Sequence, residues 1–184
     1  MSAVLSTTPI NNSQIDEPIA VVGRGHTATA RLLRRMIGAP VVELTPYEAV
    51  MGRHPHSRYR AVVVENFEPR DRRSLSPCAV ARWELAQRAG VTVVALDDGE
   101  GRRLAGAMPR QVFAYSDGKP QADLTAKNVC MRHQRVEFEA LTQRDLLRVR
   151  VPQGQGGLYE SLAALAAAVA LGMPLEQAAR SLED

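Results

Sequence analysis

The sequence predicts an α/β protein built on a doubly wound, mostly parallel sheet flanked by helices, and three observations carry that reading. A short apolar run, Ile19–Val22, breaks at a glycine turn and gives way to residues with helical spacing. The centre of the run at residues 59–65, Ala61-Val62-Val63-Val64, is apolar at every position, as a strand covered on both faces must be. Apolar runs then alternate with helix-like segments to about residue 115, which is the rhythm of β-α-β units.

Taken in order, the turn Gly23-Arg24-Gly25 is followed by Ala30, Leu33 and Ile37 on one helical face, and Gly38 closes that helix. Val41–Leu44 is the second strand and residues 59–65 the third. Pro77 opens a helix whose apolar positions are Val80, Trp83, Leu85 and Ala89; Gly90 ends it, and residues 91–96 form the next strand. A short strand follows at residues 111–115. Beyond the turn pair Asp117-Gly118, extended runs at 122–130, 136–141 and 146–151 predict a small antiparallel patch. Gly154-Gln155-Gly156-Gly157 then leads into an apolar helix with Leu158, Leu162, Leu165 and Val169 on one face; Gly172 ends it, and Pro174 starts a last helix through Leu182. Residues 1–16, rich in Ser, Thr and Asn, are expected to form a flexible tail, and residues 17–184 a single domain.

Composition narrows the function classes. A content of 45% hydrophobic and 23% charged residues excludes a disordered or fibrous chain. No stretch reaches the roughly 20 apolar residues of a membrane-spanning helix, and the start is not that of a secretory signal, so a cytoplasmic address is expected. Cys78 and Cys130 are too few for a disulfide framework, and Cys130 with His133 is a half-site that falls short of the ligands zinc needs. His54 and His56 lie in a polar loop without acids or thiols, so no metal site is expected. The net charge is +3, and Lys119 and Lys127 are the only lysines. The clusters Arg31/Arg34/Arg35 and Arg70/Arg72/Arg73 lack interleaved aromatic residues, which argues against a nucleic-acid surface.

Several motifs in this order resemble the central, ATP-binding domain of the Mur ligase superfamily, including its folylpolyglutamate- and cyanophycin-synthesising relatives. Ala20-Val21-Val22-Gly23-Arg24-Gly25-His26-Thr27 resembles the family's strand and Gly-Thr-x-Gly-Lys-Thr loop, and Ala61-Val62-Val63-Val64-Glu65 its strand ending in an acidic residue. Val94-Ala95-Leu96-Asp97-Asp98 is similar to a later family strand, and Ala122-Asp123-Leu124-Thr125-Ala126-Lys127-Asn128-Val129 to the family's Ala-Asp-φ-x-Ala-x-Asn-φ strand. Pro152-x-Gly154, the apolar helix from Leu158, and Leu171-Gly172-Met173-Pro174 complete the likeness, which runs from about Ile19 to Leu182.

The resemblance implies ATP-dependent joining of a carboxylate to an amine, with Thr27 and Glu65 associated with magnesium. It also exposes departures. The loop is one residue shorter than the family form, and His26 stands where the phosphate-binding lysine would be. Gly156, Gly157 and Glu160 occupy the positions of a His-Asn pair and a second Asn that meet the nucleotide. Between Glu65 and residue 91 there is no equivalent of the family's threonine-asparagine, Asp-His and modified-lysine segment. The resemblance further implies flanking domains on either side in a working ligase; a lone central domain is expected here, so no catalytic residue is assigned.

The loop carries a rival reading, because Gly23-Arg24-Gly25-His26-Thr27-Ala28 also fits Gly-x-Gly-x-x-Ala, with Glu43 about 20 residues on as a ribose contact. The loop is therefore a bare tight turn, a residual phosphate site made by Gly23, Arg24, Gly25, His26, Thr27 and Glu65, or a dinucleotide site completed by Glu43. The function expected is that of a non-catalytic Mur ligase-like module with no cofactor; the alternative is a small enzyme using ATP and magnesium or NAD(P). The partner expected is a second copy of the chain or a complete ligase, and the expected homodimer face lies around the C-terminal helices, the long one at 158–171, apolar around most of its circumference, and the short one at 175–182; the alternative is that the antiparallel patch at 122–151 covers them within one chain.

Overall fold

A computed structural model describes residues 17–23, 26–53, 56–65, 77–132, 135–152 and 154–183. The tail expected at 1–16, together with Arg24, Gly25, His54, Arg70, Arg72, Arg73 and His133, lies outside them.

Eight strands form one sheet in the order β2-β1-β3-β4-β5-β6-β7-β8. They are β1 (Ile19–Val22), β2 (Val41–Leu44), β3 (Tyr59–Val64), β4 (Ala89–Ala95), β5 (Val112–Asp117), β6 (Leu124–Arg132), β7 (Arg135–Leu141) and β8 (Leu146–Val151). Pairing is parallel from β2 through β6 and antiparallel from β6 through β8. The α/β class and the antiparallel patch stand as the sequence predicts. The patch is continuous with the main sheet, since β6 is both its first strand and the last parallel one.

Helices cover both faces. On one lie α1 (His26–Met36), α5 (Leu158–Ala170) and α6 (Leu175–Glu183), whose Leu32, Leu33, Leu162, Leu165 and Leu182 join Val21, Val63 and Val93 in the larger core. On the other lie α2 (Pro46–Val50), α3 (Pro77–Gln87) and α4 (Gly99–Ala107), packing Ala49, Leu85 and Leu104 against Val22, Val62 and Val94. Alternate residues of β1, β3 and β4 enter opposite cores, which is why these strands are apolar apart from Arg60 and Thr92.

Four details differ from the sequence reading. The short helix α2 is held by a capping box, in which Thr45 accepts from the Glu48 amide and Glu48 from the Thr45 amide. The second unforeseen helix, α4, is capped by Asp98, and its Gly101 passes so close to β4 that a Cβ would lie 2.0 Å from the Ala95 carbonyl. Gly90 does not close a helix: α3 ends at Gln87, Gly90 is inside β4, and Val80 is 49% exposed.

The fourth difference concerns the long helix of the expected homodimer face. In α5, every residue from Ser161 to Ala168 is buried, because α1, α6 and strands β3 to β6 enclose the helix within one chain. Its alanines let these neighbours approach closely. Its all-round apolarity is thus that of an interior helix.

Candidate functional site

The strand order places a reversal between β1 and β3: the chain steps outward from β1 to β2, then returns past β1 to β3. Ligands of doubly wound sheets bind at the carboxyl ends of strands at such a reversal. Here those ends carry Gly23 and Glu65.

Gly23 has φ +124°, and a Cβ there would stand 2.9 Å from the Glu65 carbonyl. Backbone conformation and close approach both demand glycine, so Gly23 is seated directly on the end of β3. Arg24 and Gly25 lie outside the described residues. His26 opens α1, and its Nδ1 lies 2.7 Å from the Gly23 carbonyl oxygen. A carbonyl only accepts, so Nδ1 carries the proton and the ring is bound back onto its own loop.

The structure pairs Thr27 with Glu43, and Glu65 with Thr29. Burial raises the Glu43 pKa, but hydrogen bonds from Arg34 and Thr27 and the Arg34 charge outweigh it and leave the group below its ordinary range. The Arg34–Glu43 pair measures 2.7 Å, and Arg34 Nη2 also donates to the Val41 carbonyl at 2.9 Å. The residue expected to read a ribose is thus engaged by Arg34 and Thr27 of α1.

Glu65 is 4% exposed, and its Oε1 accepts from the Thr29 hydroxyl. Its Oε2 is buried with no partner among the described residues. Burial pushes the pKa up to about 8; the Thr29 hydrogen bond lowers it and the neighbouring Glu160 raises it. At neutral pH the group is mostly a neutral carboxyl. Sequence reasoning misses Thr29. Its spacing of three, four and seven residues to Leu32, Leu33 and Met36 on the buried face of α1 is the signal that could find it.

The third wall is the start of α5. Glu160 Oε2 accepts from the Gly157 amide at 2.9 Å, Ser161 Oγ donates to the Gly157 carbonyl at 2.8 Å, and the Glu160 carbonyl lies 3.4 Å from Thr29 Oγ1. The helix terminus that would attract an anion therefore already carries the chain's own carboxylate. Tyr115, fully buried nearby, is pushed well above its usual pKa, first by burial and then by the charges of Glu65, Glu160 and Asp97. Tyr159 is raised by burial and by Asp97 and Asp117.

Asp97 and Asp98 have structural partners. Asp97 accepts from Ser116 Oγ and the Asp117 amide, both at 2.8 Å, and Asp98 caps α4. Lys119 Nζ donates to the Leu96 carbonyl at 2.7 Å, and Asn128 to Glu139 at 2.7 Å. Among the described residues no group of three or more His, Cys, Asp or Glu could hold a metal ion.

A mostly parallel α/β sheet with a strand, a glycine turn and a helix at its reversal defines the general class, a doubly wound α/β domain. No known family profile matches the chain. It is 35% identical over 105 residues to UDP-N-acetylmuramate--L-alanine ligase of Stenotrophomonas maltophilia (strain K279a), a match that spans 51% of this chain and 20% of that protein. The structure of a UDP-N-acetylmuramoyl-L-alanyl-D-glutamate--2,6-diaminopimelate ligase superposes with a TM-score of 0.78 at 18% identity, covering 91% of this chain and 46% of that one. MurF ligase from Thermotoga maritima, solved in complex with ADP, gives a TM-score of 0.65 at 14% identity over 91% and 48% of the two chains. The chain is Mur ligase-like in fold, and it spans a fifth of that curated relative and about half of those solved ligases. Among the described residues no helix is long and apolar enough to cross a membrane.

Proposed function

We propose that this Mur ligase-like domain is non-catalytic and acts as a binding or assembly module. The observation that carries the reading is the buried contact of Thr29 with Glu65, closed by the Glu160 backbone, at the junction of the glycine loop, β3 and α5. Phosphates need amides, a cation and a metal there. Instead the described residues present two carboxyl groups and a histidine bound to its own loop.

Thermal and chemical denaturation with ATP-magnesium tests the reading. A ligand at 100 times its dissociation constant adds about 2.7 kcal/mol of stability. We expect no saturable gain, and one of that size overturns the proposal.

The likeness to a ligase solved with ADP favours a second reading, in which residues 23–27 retain nucleotide binding. Parallel titrations with ADP, NAD and NADP decide it.

The partner in our reading is a second copy of the chain or a complete ligase. With α5 interior, the apolar surface for docking is Tyr47, Val50 and Met51 at α2 beside Val80 of α3, which are 63%, 37%, 51% and 49% exposed. Helices α2 and α3 pack on one another, so these side chains belong to one region. Light scattering over a dilution series should give a mass above 20.1 kDa that falls for Tyr47→Glu. A constant monomer mass removes self-association and leaves the ligase.

A further inference from the structure

At the end of α5 remote from the glycine loop, the fold leaves a cavity of about 250 Å³. Ile37 after α1, Leu171 after α5, and Met173 and Pro174 ahead of α6 give it apolar walls, while Arg60 of β3 and Gln177 of α6 supply polar groups. Arg60 sets the chemistry. It is half-buried, and its side chain makes no hydrogen bond or ion pair with any described residue. Acids on neighbouring segments are engaged elsewhere, Glu17 with Arg58 and Glu176 with Arg180.

A half-buried guanidinium without a partner among those residues presents a planar fork of donors that matches two coplanar oxygens. A single cation among apolar walls neutralises one negative charge, and a doubly charged phosphate would retain one in poor surroundings. At ~30 Å³ per water-sized group the cavity holds about eight non-hydrogen atoms. We propose that it binds a small monocarboxylate with an apolar tail, the carboxylate on Arg60 and the tail against Ile37, Leu171 and Met173. A free short-chain acid and the carboxyl-terminal leucine of a peptide share that chemistry. The site is independent of the non-catalytic reading, since it lies at the opposite pole of the sheet.

Methyl-labelled protein titrated with hexanoate, 1-hexanol and N-acetylglycyl-leucine tests it by NMR. Saturable shifts of the Ile37, Leu171 and Met173 methyls are expected with at least one acid, and hexanol should bind at least ~10-fold more weakly than hexanoate, because a hydrogen bond to a charged group is lost. Arg60→Met should abolish that discrimination. If the variant does not fold, the acid-to-alcohol ratio on the wild-type protein decides the matter. Tighter binding of the peptide assigns the site to a chain terminus, and tighter binding of hexanoate to a free acid. No saturable shift with either acid, or hexanol matching hexanoate, overturns the proposal.

Discussion

The two ends of α5 lie at opposite poles of one sheet, and the chain treats them in opposite ways. At its start, Glu160 caps the Gly157 amide, Thr29 meets Glu65, and Gly23 packs onto the end of β3; every buried polar side-chain atom described there but one has a partner from the chain itself. At its finish, Arg60 faces a cavity with no partner among the described residues. The first pole is where the fold's plan puts a ligand, and its described polar groups are mostly engaged by the chain itself. The second lies outside that plan and presents a cation to a cavity. Position within a fold nominates a site, but the charges and vacant partners left there decide what it can bind.

The largest effect that sharpens this contrast is a pH dependence. The folded pKa of Glu65, about 8, lies above the ~4.3 of an unfolded glutamate. The folded state therefore holds the proton more tightly. The stabilisation is complete below about pH 4.3 and is lost as pH rises through about 8, a change on the order of a few kcal/mol. Urea unfolding at stepped pH should show the decline, and Glu65→Gln, which keeps an acceptor for Thr29, should flatten it. A flat wild-type profile would mean that Glu65 ionises freely and that the first pole is open to ions.

Next in size is Gly23→Ala, which forces a side chain into a left-handed conformation and against the Glu65 carbonyl. A loss of about 1–3 kcal/mol is expected from denaturant midpoints. A neutral substitution would show that the loop stands off β3. The smallest effect belongs to the other pole, where Arg60→Ala should change stability by less than about 0.5 kcal/mol, because no side-chain hydrogen bond to a described residue is broken. A loss of several times that amount, by the same measurement, would mark Arg60 as a structural group serving α5.

The sequence made the strands legible because β1, β3 and β4 feed two cores and so contain almost no polar residue. Helices α1 and α5 were readable from periodicity and composition. Helix α4 was hidden because Gly99, Gly101 and Gly106 lower helix propensity, and the need for Gly101 arises only from contact with β4. The local pattern located the glycine loop and nominated Thr27, but whether Thr27 or Thr29 meets Glu65 depends on how α1 is rotated on the sheet. The Thr29–Glu160 approach joins residues 131 positions apart, which no local pattern encodes. The α5 surface misled for the same reason, since an apolar helix does not reveal in sequence whether its own chain or another covers it.

The position of α5 along the chain has a consequence for synthesis. It is the centrepiece of one core, yet it follows all eight strands in sequence. During translation at ~5–20 residues per second, the sheet face made by Val21, Val63 and Val93 and the apolar stripe of α1 are complete on the order of ten seconds before α5 can cover them. The nascent chain thus carries a wet hydrophobic face throughout that interval. Ribosome-associated chaperones would meet it there, and slower translation upstream of α5 would lengthen the exposure.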